Sequence, residues 1–127
     1  MAAYSNQRVA AIIIKILYRK LTVIIRNSVM KTRSEYLELL KKHITELKEQ
    51  FGVRSFRIFG SVARNEHTED SDVDVCVEME PDLYLLVGLK QFLEKLLGCS
   101  VDVVRMHRNM NKLLLKQIEK DSVYVFG

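Results

Sequence analysis

Residues 59–78 read FGSVARNEHTEDSDVDVCVE, and the parsing of this stretch decides the fold. Its second half alternates. Over residues 72–79, Val73, Val75, Val77 and Met79 point one way, and Asp72, Asp74, Cys76 and Glu78 point the other. A period of two is the signature of a strand with one buried face. The first half ends an earlier strand at Gly60 and opens one or two helical turns over residues 61–66. A strand, a glycine-serine turn, a short helix and a second strand therefore follow one another closely.

The alternation sets two carboxylates on one strand face, about 6.5–7 Å apart along the chain. Taken alone, Asp72 and Asp74 read as a solvated strand face. Two neighbours change that. Asp102 lies in SVDVV, a further strand, so three acids converge if the two strands are adjacent. Acids held close together raise one another's pKa, and a pair of divalent cations would relieve them. Upstream, Gly60 lets the backbone approach a phosphate closely, and Ser61 supplies a hydroxyl beside free amides. No Gly-Lys-Ser/Thr follows, so this is not a Walker A loop.

Outward from this stretch, the elements alternate. Thr32 and Glu35 have capping-box spacing. Leu37, Leu40, Ile44, Leu47 and Phe51 then recur every three or four residues, which predicts one amphipathic helix ended by Gly52. Residues 53–59 have strand composition. Pro81-Asp82 starts an apolar helix over residues 83–97, and Gly98 stops it. Residues 100–105 form a strand, Asn109 is placed to cap a helix reaching about Lys120, and residues 122–126 form a last strand or edge segment. Helices alternating with strands predict an α/β (α+β) fold with a small mixed sheet flanked by helices.

The 127 residues suit one hydrophobic core, with 48% hydrophobic and 28% charged residues. Cys76 and Cys99 share no metal-type spacing and read as reduced thiols of a cytoplasmic protein. The net charge of +4 is unevenly spread. Residues 1–29 contain Arg8, Lys15, Arg19, Lys20 and Arg26 and no acid; the remaining fifteen basic residues face sixteen acidic ones. The main domain, residues 30–127, is thus no nucleic-acid binder by bulk charge. Residues 9–25 are apolar but too short and too charged for a membrane span. On a helical wheel Arg8, Lys15, Arg19 and Arg26 fall within about 40° of one another. Residues 1–29 read either as a docking helix or as an extension upstream of a start at Met30. His43, His67 and His107 share no ligand spacing. Lys112, Lys116 and Lys120 recur every four residues, the pattern of a solvated helix face.

The order Gly60-Ser61, ten residues, Asp72-x-Asp74 and a later Asp102 resembles the polymerase-beta-like nucleotidyltransferase superfamily. FGSVARNEHTEDSDVDVCVE with GCSVDVV is similar to its smallest branch, the minimal nucleotidyltransferases (MNT). The resemblance covers most of residues 33–127. One departure is Asn65, where many relatives have glycine. The resemblance implies that Gly60, Ser61 and Arg64 bind the nucleotide, although Arg64 reads equally as a surface salt-bridge partner of Glu66 or Glu69. It implies that Asp72, Asp74 and Asp102 are catalytic and bind Mg²⁺, with two ions expected. It further implies transfer of AMP from ATP to a hydroxyl, expected to be a tyrosine, of a HEPN toxin partner. The chain would then be the antitoxin of a type VII-like toxin-antitoxin pair. Two rival functions stay open at this point: an antitoxin that neutralises by binding alone, and an enzyme acting on a small molecule such as an aminoglycoside. Direct nucleic-acid binding and membrane binding are not expected, and self-association is left open.

Overall fold

The structure, a computed structural model, describes the backbone of residues 2–28 and 30–127 and the side chains of residues 8–21 and 30–127. The chain divides into two compact units, Met1–Met30 and Lys31–Gly127. The first is a single helix, α1 (Ala2–Ser28). Its described apolar side chains, among them Ile12, Ile16 and Leu17, are exposed. The basic stripe expected here includes Arg26, which lies outside the described side chains. Among the described residues no helix is long and apolar enough to cross a membrane.

The second unit begins with α2 (Arg33–Lys42) and α3 (Ile44–Phe51). The Thr32 Oγ1 accepts from the Glu35 N–H and caps α2, as the spacing predicted. The single helix expected through Phe51 is broken at His43, whose φ and ψ are −113° and 18°. The cause is local. The His43 ring nitrogen Nδ1 lies 2.8 Å from the Leu39 carbonyl oxygen, the acceptor that a continuous helix reserves for the His43 N–H. That N–H turns to Leu40 instead. A side chain inserted into the helical ladder bends it.

The remaining elements are β1 (Ser55–Phe59), α4 (Gly60–Ala63), β2 (Val73–Glu78), α5 (Leu83–Leu97), β3 (Val101–Arg105), α6 (Lys112–Asp121) and β4 (Val123–Phe126). Asp82 caps α5, and Gly98 ends it in the left-handed conformation. Asn111, not Asn109, caps α6: its Oδ1 accepts from the N–H groups of Leu113 and Leu114. Asn109 instead sits in the turn before, where its N–H donates to His107 Nδ1. The four strands form one sheet in the order β3-β2-β1-β4. β2 and β3 are parallel because α5 carries the chain back between them; the other pairs are antiparallel.

The sheet buries one face fully and the other in part. On one, Val73, Val75 and Val77 join Phe56 and Ile58 beneath Leu40 and Leu47 of the first helices and Leu89, Leu93 and Leu97 of α5. Fully burying each such aliphatic side chain contributes about 1.5–3 kcal/mol. On the other face a smaller cluster holds Phe59, Cys76 and Ile118 of α6. Arg57 is buried at its margin, where Nη1 donates to the Tyr124 hydroxyl and Nη2 reaches the Met106 sulfur. Cys76 and Cys99 are free thiols. Burial pushes both above their ordinary pKa. The acids share the smaller face, at the end where β1 turns into α4.

Candidate active site

The parallel register of β2 and β3 sets Asp74 directly across from Asp102. Adjacent residues in this register send their side chains to the same face, so the two carboxylates are neighbours. Asp72 lies one residue before β2 and is exposed, as is Asp102, while Asp74 is half-buried. Burial pushes the Asp74 carboxyl above its usual range, and the negative charges of Asp102 and Asp72 push it further; Arg64 opposes them. The charges of Asp102 and Asp72 are thus felt at Asp74.

Gly60 stands against this carboxylate. It has φ of 75°, in the left-handed region, and a Cβ added to it would overlap the Asp74 Oδ2 atom. Backbone strain and lack of room both require glycine here. The turn that follows is fixed from two sides. The Arg33 guanidinium of α2 donates to the Ala63 carbonyl at 2.9 Å. Asn65 then adopts φ of 59°. Glycine takes that conformation freely and asparagine is among the residues that tolerate it, so the departure at position 65 leaves the turn intact. Among the described residues the Ser61 hydroxyl has no hydrogen-bond partner, and it borders the cleft.

That cleft has a volume of about 540 Å³. Phe59, Gly60, Ser61 and Asp74 form one wall; Gln117 and Lys120 of α6 form the other. Arg64 and Asp121 close the space between α4 and α6 through an ion pair at 3.3 Å. Arg64 also pairs with Glu66 at 3.0 Å. Of the residues singled out in the sequence, Gly60, Ser61, Arg64 and Asp74 meet in the cleft, with Asp102 and Asp72 beside Asp74. Gln117, Lys120 and Asp121 were not singled out. Lys120 belongs to a four-residue lysine repeat that reads as a solvated face, and Asp121 meets Arg64 from 57 residues away. Only the packing of α6 over the smaller face reveals them.

The donor set suits a hard divalent cation, since all three groups are carboxylates and none is in a salt bridge among the described residues. Burial and then the like charges of Asp102 and Asp72 disfavour the ionised Asp74, and a bound cation would offset them. The side chains do not yet converge into a closed ligand shell: among the described residues no three His, Cys, Asp or Glu groups stand as a metal site.

A strand-turn-helix carrying Gly-Ser beside a carboxylate pair across a parallel register is the arrangement that the resemblance to nucleotidyltransferases leads one to expect. The family profile described as "Nucleotidyltransferase domain" matches residues 40–127, and the chain belongs to that family. Among its relatives, the protein adenylyltransferase MntA of Thermococcus cleftensis is 42% identical over 98 residues, which cover 76% of this chain and 98% of that one. A solved structure provisionally named a minimal nucleotidyltransferase is 34% identical, with a TM-score of 0.62 over 75% of this chain and 97% of that one. The fold also matches a solved structure of the tri-AMPylated Shewanella oneidensis HEPN toxin in complex with MNT antitoxin. The match has 22% identity and a TM-score of 0.53, covering 72% of each chain.

Proposed function

We propose that this nucleotidyltransferase is a Mg²⁺-dependent protein adenylyltransferase that moves AMP from ATP to a tyrosine hydroxyl of a HEPN toxin, and so acts as an antitoxin. The observation that carries the reading is the placement of Asp74 opposite Asp102 beside the cleft that Gly60 and Ser61 line. The name of the Thermococcus relative and the AMPylated toxin in the Shewanella complex supply the acceptor class.

In this reading Ser61 holds phosphate oxygens with its hydroxyl and backbone N–H, and Gly60 keeps the backbone low enough to admit them. Asp72, Asp74 and Asp102 would hold Mg²⁺, which supplies charge neutralisation at the phosphates and polarises the attacking oxygen. Asp102, exposed at the strand edge, accepts the proton of the acceptor hydroxyl. The hydroxyl oxygen forms a bond to the α-phosphorus, the bond from that phosphorus to the bridging oxygen breaks, and pyrophosphate leaves. Arg64, engaged by Glu66 and Asp121, positions α4 against α6. The α1 unit and the domain of residues 30–127 are separate in this scheme, and the latter carries the chemistry.

The test is incubation with α-labelled ATP, Mg²⁺ and a HEPN toxin, the adjacent gene being the first place to look for one. Label should pass to the HEPN protein, be lost when its acceptor tyrosine is changed to phenylalanine, and disappear with Asp72→Asn. Absence of transfer by the wild type, or unchanged transfer by Asp72→Asn, overturns the proposal.

A further inference from the structure

The second wall of the cleft comes from a helix to which the sequence assigns no role. Gln117 and Lys120 lie about one turn apart on α6 and face the side that carries Gly60, Ser61 and Asp74. A triphosphate entering there carries more negative charge than Mg²⁺ at the acids would offset, so the rest calls for cations elsewhere in the cleft. Among the described residues two cations line the space, Arg64 and Lys120. Arg64 is already engaged, its Nε 3.0 Å from Glu66 and its Nη1 3.3 Å from Asp121. Lys120 forms no salt bridge and no hydrogen bond from its amine among the described residues. The neighbour of Lys120 in sequence, Asp121, is the residue that Arg64 holds to α4, so the end of α6 is anchored beside the turn.

We infer that Lys120 is a nucleotide-binding residue whose ammonium meets the triphosphate from the α6 side, with the Gln117 carboxamide one turn away facing the sugar or base. The inference rests on the nucleotidyltransferase reading of this cleft. An ammonium on a flexible stem acts on phosphate as a movable point charge. Arg64 then serves as a positioning residue: it holds the wall, and Lys120 touches the ligand.

The experiment titrates fluorescent N-methylanthraniloyl-ATP, with Mg²⁺, into the full chain. Lys120→Gln should weaken binding about tenfold, the loss expected for one charge-assisted contact. The KM for ATP should rise with it, the salt dependence of binding should flatten, and affinity for labelled adenosine should stay unchanged. Lys120→Arg should retain most of the affinity. Lys116→Gln, on the same helix but outside the cleft, should bind like the wild type. Equal losses in Lys116→Gln and Lys120→Gln would mean a general field effect and overturn the inference, as would an equal loss for adenosine. If the wild type binds ATP and Lys120→Gln matches it, the α6 inference alone falls. If the wild type binds no ATP, the reading of the cleft falls and takes the inference with it.

Discussion

On one face of β2, Val73, Val75 and Val77 are fully buried under α5 and the first helices. On the other, Asp74 is half-buried, Cys76 is buried beside Ile118, and Glu78 is exposed. The two sets alternate along six residues of one strand, yet they answer different demands. The inner valines make the domain stable and could be exchanged for other apolar groups of similar volume. Asp74 on the outer face opposes stability, because burial and two like charges disfavour its ionised form. A strand can carry both because its period of two keeps the faces independent.

The largest effect expected from breaking this division is on catalysis. Asp74→Asn should lower AMP transfer by ~10³-fold, the scale of losing one preorganised charge at a reacting phosphate. Radiolabel transfer under single-turnover conditions measures it. The matching change on the inner face is Val75→Ala. It should destabilise the domain by about 2 kcal/mol and lower the melting temperature by roughly 10 °C, with the KM for ATP unchanged. If Val75→Ala instead abolished transfer at temperatures where it is folded, the faces would not be independent.

A smaller effect sharpens the comparison. Asp74→Asn should melt a few degrees above the wild type at pH 7. Its folded carboxyl is raised above the ordinary value of 3.8, so the folded state binds that proton more tightly than the unfolded chain. The wild type therefore holds its full stability at low pH and loses part of it as pH rises through the raised pKa. The advantage of Asp74→Asn should vanish below the ordinary carboxylate range. Mg²⁺ should raise the wild-type melting temperature and leave that of Asp74→Asn nearly unchanged; equal shifts in both would remove Asp74 from the metal site. The smallest effect belongs to Glu78→Gln, solvated at the far end of the same face: within about 0.5 kcal/mol in stability, with transfer unaltered.

Period and punctuation made most of this legible in the sequence. The alternation around Asp74, the Pro81-Asp82 start, the Gly52 and Gly98 stops and the family resemblance were all readable. What escaped depends on contacts that no local pattern encodes. The break at His43 arises from a ring nitrogen competing for one carbonyl. The cap of α6 fell to Asn111 over Asn109, two candidates of the same type that only the path of the chain distinguishes. Arg57, in a strand read from composition alone, is buried, and its partners are Met106, from the segment after β3, and Tyr124 of β4. The wall of Gln117 and Lys120 is the same kind of omission at the site. Its residues are exposed in the fold as well, and only the place of α6 beside the Gly60 turn shows that they border the cleft.

The fit of Gly60 against Asp74 links the histories of these two positions. A side chain at position 60 would collide with the acid, so the glycine is held in place from across the sheet as well as by its own backbone. Drift at the pair should therefore have a preferred order. A lineage abandoning the chemistry would first lose or shorten the acid, and only then have room for a residue with a Cβ at position 60. Descendants that keep the glycine without the acid would mark a recent loss of activity. Those lacking both would mark an old one, and a side chain beside an intact acid should be the rarest combination.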